Sequence, residues 1–347
     1  MRRQERPAMK NFTYYRPTSL EAALALLDSR WGTTELLAGG TDLLDLQKEY
    51  VAQPDKIVSL NFIQEPTLTR IEVPQIPAGA KGTVSLGAAV KLADIADHPE
   101  LKKLFPALTD AAAQIGGPQI RNMGTLGGNL CQRNRCWYFR DEHVLCLLKG
   151  GKKCYATDGE NRYHAIFTRG HPCVIVHPST LAPALIALGA SAEIAGPQGK
   201  RTIPLAQFFQ APMKADQREH VLAPNEIVLR VLIPVEGLRN ASYEVRHKQS
   251  YDWPLVQAAV AFRLSGGKAT DVRIVLGHVA PTPHIASEAQ KVVEGQTITP
   301  ELAAKAGQAA TASASPLSQN GYKVRLVQVA VKRALLLASG ATPDWVL

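Results

Sequence analysis

Residues Arg121–Arg140 read RNMGTLGGNLCQRNRCWYFR, and two chemistries meet in them. Gly124, Gly127 and Gly128, with Thr125 and Asn129, make a turn without Cβ barriers, so its backbone can approach a phosphate closely. Cys131 and Cys136 follow among arginines and aromatics. The earlier stretch LLAGGTDLL, Leu36–Leu44, has a similar character: a strand runs into Gly39-Gly40, and Thr41 adds a hydroxyl donor. Neither turn has the G-x-G-x-x-G spacing of a dinucleotide fingerprint, and no P-loop pattern occurs. Glycine pairs also serve ordinary tight turns, and the residues alone leave both readings open.

Working outward, RPTSLEAALALLDSR predicts a helix with Thr18 as N-cap, Glu21 three residues on, and apolar positions at Leu20, Ala23, Leu24 and Leu27. TELLAG, DKIVSL and TVSLGAAV read as strands. Helices are expected over about Lys91–Asp97 and about Pro106–Ile115, the second broken by Gly116-Gly117-Pro118. From Gln132 to His171 periodicity is lost, and an irregular stretch of that length is usually functional or disordered. CVIVHPSTLAPALIALGASAEIAG predicts a buried strand, a turn at His177-Pro178, a helix near Leu181–Leu188 and another strand. The last third reads as long antiparallel strands followed by three helices, an α+β domain on its own small sheet.

The chain has 347 residues, 46% hydrophobic and 20% charged, enough for two or three domains with buried cores. No apolar run approaches the roughly 18–20 residues of a membrane span. The basic N-terminal run MRRQERPAMK leads into no apolar h-region, so a secretory signal is not expected. The net charge of +9 is spread along the chain without dense blocks. It is read as a solvated basic surface or a face for an acidic partner subunit rather than a nucleic-acid site. No G-x-S-x-G or H-E-x-x-H occurs, and no catalytic residue is assigned.

LLAGGTDLL, RNMGTLGGNL and HPSTLAPALIALGA, in that order and spacing, resemble the FAD-binding subunit of the molybdenum hydroxylases. That group holds the medium subunits of carbon monoxide dehydrogenases, the FAD domain of xanthine dehydrogenase, and the β subunits of bacterial aldehyde oxidoreductases and 4-hydroxybenzoyl-CoA reductase. The likeness runs from about Asn11 to the C-terminal helices. It implies an α+β chain: a VAO/PCMH-type FAD-binding fold of two α+β subdomains, residues 1–65 and 66–236, then a flavoprotein C-terminal domain, residues 237–347. By the same resemblance Leu37, Ala38, Gly39, Gly40, Thr41, Asp42 and Leu43, with Gly124, Thr125, Gly127, Gly128 and Asn129, hold the pyrophosphate and ribityl region of FAD through backbone N–H groups. Ser179 and Thr180 fall where the family carries a Ser-Asp pair near the adenosine half, and Thr180 departs from that aspartate. Glu244 stands after Tyr243 where the family usually has a lysine or arginine, so no FAD ligand is carried over there.

Five cysteines form the pattern Cys131-x4-Cys136-x9-Cys146-x7-Cys154-x18-Cys173. Their number is odd and four crowd into one stretch, which points to metal or redox chemistry rather than structural disulfides. The spacings fit neither zinc-finger pairs nor the ferredoxin run. Free cysteines, zinc and an iron–sulfur cluster all remain open on spacing alone. RCWYFR with CLLKGGKKCYA resembles the insertion, about 131–173 here, that holds a [4Fe–4S] cluster in 4-hydroxybenzoyl-CoA reductase and periplasmic aldehyde oxidoreductase β subunits. On that resemblance Cys136, Cys146, Cys154 and Cys173 are the ligands and Cys131 is the reserve. Lys149, Lys152 and Lys153 would offset the cluster's charge, and Trp137 and Tyr138 would shield it.

The resemblance therefore implies an electron-transfer flavoprotein subunit. It would sit with a molybdopterin-binding large subunit and a [2Fe–2S] small subunit, as a heterotrimer or its dimer, in the cytoplasm, or in the periplasm where a partner carries the export signal. The competing readings are a self-contained flavin oxidase of the same fold and a metal-bearing nucleic-acid-binding protein.

Overall fold

The computed structural model describes residues 9–75, 81–249 and 251–341. The basic run at residues 1–8, expected not to be a secretory signal, lies outside them. The chain opens with β1 (Thr13–Tyr15), α1 (Leu20–Leu26), β2 (Thr34–Leu37), α2 (Leu43–Lys48) and β3 (Lys56–Ser59). These strands pair in parallel in the order β1-β3-β2. The first helix starts one residue later than expected: the N-cap is Ser19, whose Oγ accepts from Ala22 N at 3.1 Å, rather than Thr18.

The middle of the chain contains α3 (Pro66–Thr69), β4 (Ile71–Glu72), β5 (Gly82–Gly87), α4 (Leu92–Asp97), α5 (Pro99–Leu104), α6 (Pro106–Ala113), α7 (Pro118–Met123), α8 (Leu126–Cys131) and α9 (Trp137–Arg140). It continues with α10 (Leu181–Ala187), β6 (Ser191–Gly196), β7 (Gly199–Pro204), α11 (Leu205–Phe208) and β8 (Ile227–Val235). The strands form one antiparallel sheet in the order β4-β5-β8-β6-β7. All seven residues of α10 are buried, as befits a helix that is apolar around its whole circumference. It packs against α6 on one side and β10 (Val256–Ser265) and β11 (Lys268–Gly277) on the other. The turns flanking Gly124 are helical, which the sequence reading missed. Pro118 opens α7, and Thr125 caps α8 by accepting from Gly128 N at 3.1 Å.

One expected strand is absent. Cys173–Val176 joins no ladder, although Cys173, Val174 and Ile175 are buried. Its backbone groups have other partners: Val174 O accepts from Ala165 N at 3.0 Å, and the N–H groups of Val174 and Ile175 point at cysteine sulfurs.

The C-terminal third is the expected small sheet covered by three helices. β9 (Arg239–Val245), β10, β11 and β12 (His284–Ile285) pair in the order β12-β11-β10-β9, followed by α12 (Ser287–Val293), α13 (Pro300–Ala309) and α14 (Tyr322–Ser339). Both faces of β10 are buried, because a strand turns alternate side chains to opposite sides. Val256, Ala258, Val260 and Phe262 meet the helices, and Ala259 and Ala261 join the core built around α10 and the five-stranded sheet. On α14, Val327, Ala330, Val331, Ala334, Leu335 and Ala338 form the buried stripe expected of 3.6-residue periodicity.

The second face of this sheet also buries a carboxyl group. Glu244 stands opposite Gln257 in the β9–β10 register, and neither of its oxygens has a hydrogen-bond partner among the described residues. Burial pushes its pKa up to about 8, against 4.5 for an ordinary glutamate, with Arg246 opposing the shift. Folded Glu244 thus keeps its proton while the unfolded chain loses it, and the native state loses stability as pH rises from about 4.5 to about 8. Glu244→Gln is expected to remove that slope. In thermal melts, the variant should gain on the wild-type chain across that window, keep the gain above it, and show no gain below pH 4.5. Melting curves that stay parallel at all pH values would show that Glu244 ionises normally.

Candidate functional site

A cleft of about 410 Å³ runs between the two glycine turns. Ala38, Gly39, Gly40, Thr41, Asp42 and Leu43 line it from the β2–α2 side, and Gly124, Thr125, Gly127, Gly128 and Asn129 from the α8 side. Thr180 reaches it as well, whereas Leu37 and Ser179 do not. The turns touch: a Cβ on Gly39 would lie 2.0 Å from Met123 O, so only glycine permits the approach. Gly40 has φ +75°, the left-handed region that glycine adopts without strain.

The two turns differ in what they offer an anion. The N–H groups of Gly39, Gly40, Thr41 and Asp42 have no acceptor among the described residues, which is the pattern of an anion-binding nest ahead of a helix. On the other side the N–H groups from Leu126 to Asn129 are engaged, and that of Gly124 donates to Ile120 O at 2.7 Å. Leu126 N donates to Val90 O (2.9 Å), Gly127 N to Ala88 O (2.8 Å), Gly128 N to Thr125 Oγ1 (3.1 Å) and Asn129 N to Thr125 O (2.9 Å). Backbone binding by this second turn, as expected from the sequence, is therefore restricted. Its contribution is close approach and the Asn129 side chain. Ser179 stands behind that side chain and donates from Oγ to Asn129 Oδ1 at 2.6 Å, and it caps α10 by accepting from Ala182 N. Thr180 Oγ1 lies 3.4 Å from His278 Nε2, and the Thr180 carbonyl accepts from Gln257 Nε2.

Three arginines that the sequence reading did not single out also line the cleft. Arg133 pairs with the fully buried Glu219 at 2.8 Å, Arg218 with Glu35 at 3.3 Å, and Arg135 with Asp42 at 2.8 Å. Arg218 lies over Trp31 and Arg135 over Trp253, at 4.7 and 4.6 Å from the ring centres. Burial lowers the pKa of Arg135 and Arg218 to about 10, which leaves both cationic at neutral pH. Arg133 Nη2 and Arg135 Nε are buried donors without a partner among the described residues. Glu219 accepts from Arg133 and from Asn134 N and Nδ2, and these donors hold its pKa down to about 2 against the cost of burial. Their partners lie about 85 residues apart in sequence, so no local pattern marks them.

Asp42, expected to touch cofactor, joins this network. Its carboxylate accepts from Arg133 N (2.8 Å) and Arg140 Nη2 (2.6 Å) besides Arg135. The first glycine turn is thereby tied to the segment that opens the cysteine-rich loop.

In that loop Cys136, Cys146 and Cys173 share a small apolar cluster with Leu46, Phe139, Leu148 and Ile175, and the Cys154 thiol lies within hydrogen-bond reach of Cys173. They lie close enough that each thiol feels others: Cys154 feels Cys173, and Cys136 and Cys146 both feel Cys154. Each sulfur is also approached by backbone N–H groups: Phe139 and Tyr138 at Cys136, Leu148 and Lys149 at Cys146, Val174 and Ala156 at Cys154, and Ile175 at Cys173. The hydrogen bond from Cys173 pulls Cys154 down to about 5, and Cys173 is pushed up correspondingly. Cys131 stands apart. Burial alone raises it to about 12, and it lines the cleft instead. No group of three or more His, Cys, Asp or Glu side chains among the described residues closes around a single metal ion.

Of the histidines near the loop, His171 and His177 flank Cys173 in sequence, but His164 reaches a sulfur: its Nε2 is 3.2 Å from Cys136 Sγ. A second cavity of about 240 Å³ lies here, lined by Cys136, His164, Trp137 and Lys323 among others. Arg135, Asp252, Trp253 and Pro254 line both cavities. Trp137 is partly exposed and meets Tyr138, Tyr163 and His164 edge-on.

Residues 10–236 match the FAD binding domain in molybdopterin dehydrogenase, and residues 241–338 match the CO dehydrogenase flavoprotein C-terminal domain. The chain is 34% identical to the aldehyde oxidoreductase FAD-binding subunit PaoB of Escherichia coli (strain K12), over 92% of this chain and 96% of that one. It is 28% identical to the carbon monoxide dehydrogenase medium chain of Hydrogenophaga pseudoflava, over 93% and 96%. A solved carbon monoxide dehydrogenase from Hydrogenophaga pseudoflava, lacking the Mo-pyranopterin moiety of its cofactor, superposes with a TM-score of 0.73 at 29% identity, covering 96% of this chain and 98% of that one. Two matched domains in order, near-complete coverage and the α+β architecture agree: the chain belongs to the FAD-binding subunits of the molybdopterin-dependent oxidoreductases.

Proposed function

We propose that this chain carries FAD in the cleft and a [4Fe–4S] cluster in the cysteine-rich loop, and passes electrons from molybdenum and [2Fe–2S] partner subunits to an external acceptor. The observation that carries the flavin half is the row of unpartnered N–H groups from Gly39 to Asp42, facing a cleft whose walls add the orphaned Arg133 Nη2 and Arg135 Nε. Those donors fit a pyrophosphate. Asn129 and Thr180 extend the polar lining, with Ser179 fixing Asn129 from behind. Leu37 supports the turn from outside the cleft.

The cysteine loop fits a cluster rather than one ion. Four thiols, each met by backbone N–H groups and each close to at least one other of the four, suit the sulfurs that hold a cubane. Cys136, Cys146, Cys154 and Cys173 are the proposed ligands, and Cys131 is a bystander facing the flavin cleft. Bound FAD supplies both two-electron and one-electron chemistry, and the cluster one-electron relay. The protein's own part is to hold the dinucleotide by its phosphates, keep the thiols dry, and join the two sites through Asp42 and its arginines.

The partners are a molybdopterin-binding large subunit and a [2Fe–2S] small subunit, in a heterotrimer or its dimer. The division at residues 65/66 and 236/237 is proposed with them. No helix among the described residues is long and apolar enough to cross a membrane. We place the assembly in the cytoplasm unless a partner carries an export signal.

Two results test this reading. Replacing Cys136, Cys146, Cys154 or Cys173 singly with Ser should remove about four iron atoms per chain from the purified complex, and Cys131→Ser should remove none. Equal iron in all five variants would refute the cluster. Gly39→Ala would force its Cβ to within 2.0 Å of Met123 O, so the turns must part. A destabilisation of roughly 1–3 kcal/mol is expected, with loss of most bound FAD, read by flavin released on denaturation. Full FAD occupancy in that variant would contradict the cleft assignment.

A further inference from the structure

We infer that His164 is a positioning residue for the cluster, a hydrogen-bond donor to the Cys136 sulfur that sets the cluster's reduction potential. The inference rests on the [4Fe–4S] reading above and adds to it a residue that supplies no ligand. His164 Nε2 lies 3.2 Å from Cys136 Sγ, and the ring is buried. Its Nδ1 is buried without a partner among the described residues, which fits a neutral ring with its proton on Nε2. An iron-bound thiolate has no proton to give, so with a ligated sulfur this contact holds only when Nε2–H donates.

The C-terminal domain holds the backbone that carries the ring. Asn320 Nδ2 donates to His164 O at 3.1 Å, and the buried Lys323 Nζ donates to the carbonyls of Tyr163 (3.0 Å), His164 (3.2 Å) and His278 (2.9 Å). One turn earlier Asn161 exchanges bonds with Ser318 and Gln319, and Tyr322 OH donates to Arg162 O. The approach to α14 and its first turn therefore clamp the backbone that carries His164. Such density of bonds around one loop has a purpose if the side chain it aims must not move.

On one-electron reduction the electron, supplied by reduced flavin, adds negative charge that is shared by the thiolate sulfurs, and no bond is made or broken. A donor to one sulfur favours that state and raises the potential. His164→Leu removes the donor, and His164→Gln keeps an amide N–H near the position of Nε2. In a redox titration of the purified complex followed by the electron paramagnetic resonance of the reduced cluster, His164→Leu should shift the reduction equilibrium about tenfold against reduction, ~59 mV to lower potential. His164→Gln should recover most of the shift. In wild-type complex labelled with 15N-histidine, pulsed resonance should show a histidine nitrogen coupled to the cluster, a signal lost in both variants. That measurement needs no variant to fold. A wild-type cluster with no histidine coupling, or potentials equal in wild type and His164→Leu, would overturn the inference and leave the cluster standing. Wild-type protein without the extra iron would instead overturn the cluster reading, and this inference with it.

Discussion

The Asp42 carboxylate is the contact on which the two sites depend together. It accepts from the Arg133 backbone and from the guanidinium groups of Arg135 and Arg140, at 2.6–2.8 Å. Three donors on a mostly buried carboxylate offset the cost of removing it from water, and breaking such an arrangement leaves unpaired charge behind. Because Asp42 follows Gly39-Gly40-Thr41 directly, the same bonds hold the free N–H groups of that turn open to the cleft. Because Arg135 precedes Cys136, they also fix where the cysteine loop begins. Beyond Asp42 the network continues from Arg133 to Glu219 and from Arg218 to Glu35, so paired charges are set into a cleft wall that is otherwise largely apolar.

The rest of the fold presses these parts together. The parallel three-stranded sheet supplies the first turn, the antiparallel five-stranded sheet and α8 the second, and the C-terminal sheet closes on α6 and α10. The β9–β10 loop brings Asp252 and Trp253 to both cavities, and the approach to α14 reaches the cysteine loop through Asn320 and Lys323. Each cavity thus draws on more than one domain.

Much of this was legible in the sequence, for physical reasons that also explain the gaps. Long amphipathic runs such as α14 and the paired strands β10 and β11 carry their own periodicity, so the C-terminal domain was readable without tertiary context. The glycine turns were visible as glycine, yet their different hydrogen bonding was not. It depends in part on the carbonyls of Ala88 and Val90, just past the end of β5, which take the N–H groups of Gly127 and Leu126. Cys173–Val176 looked like a strand because Val174 and Ile175 are apolar and β-branched, but their N–H groups serve sulfurs instead of a ladder. The choice of four cysteines came from resemblance alone, and the separation of Cys131 from them emerged only from its surroundings, where burial is the sole influence on its thiol. His164, Arg218 and Glu219 gave no local signal, since each gains its meaning from a partner far along the chain.

The most direct test of the central claim is to identify and count the flavin released when the purified complex is denatured. One intact FAD per copy of this chain is the expected result, since the unpartnered N–H groups from Gly39 to Asp42 are proposed to receive the pyrophosphate that joins its two halves. A complex that yields no flavin, or a mononucleotide without the adenosine half, would contradict it.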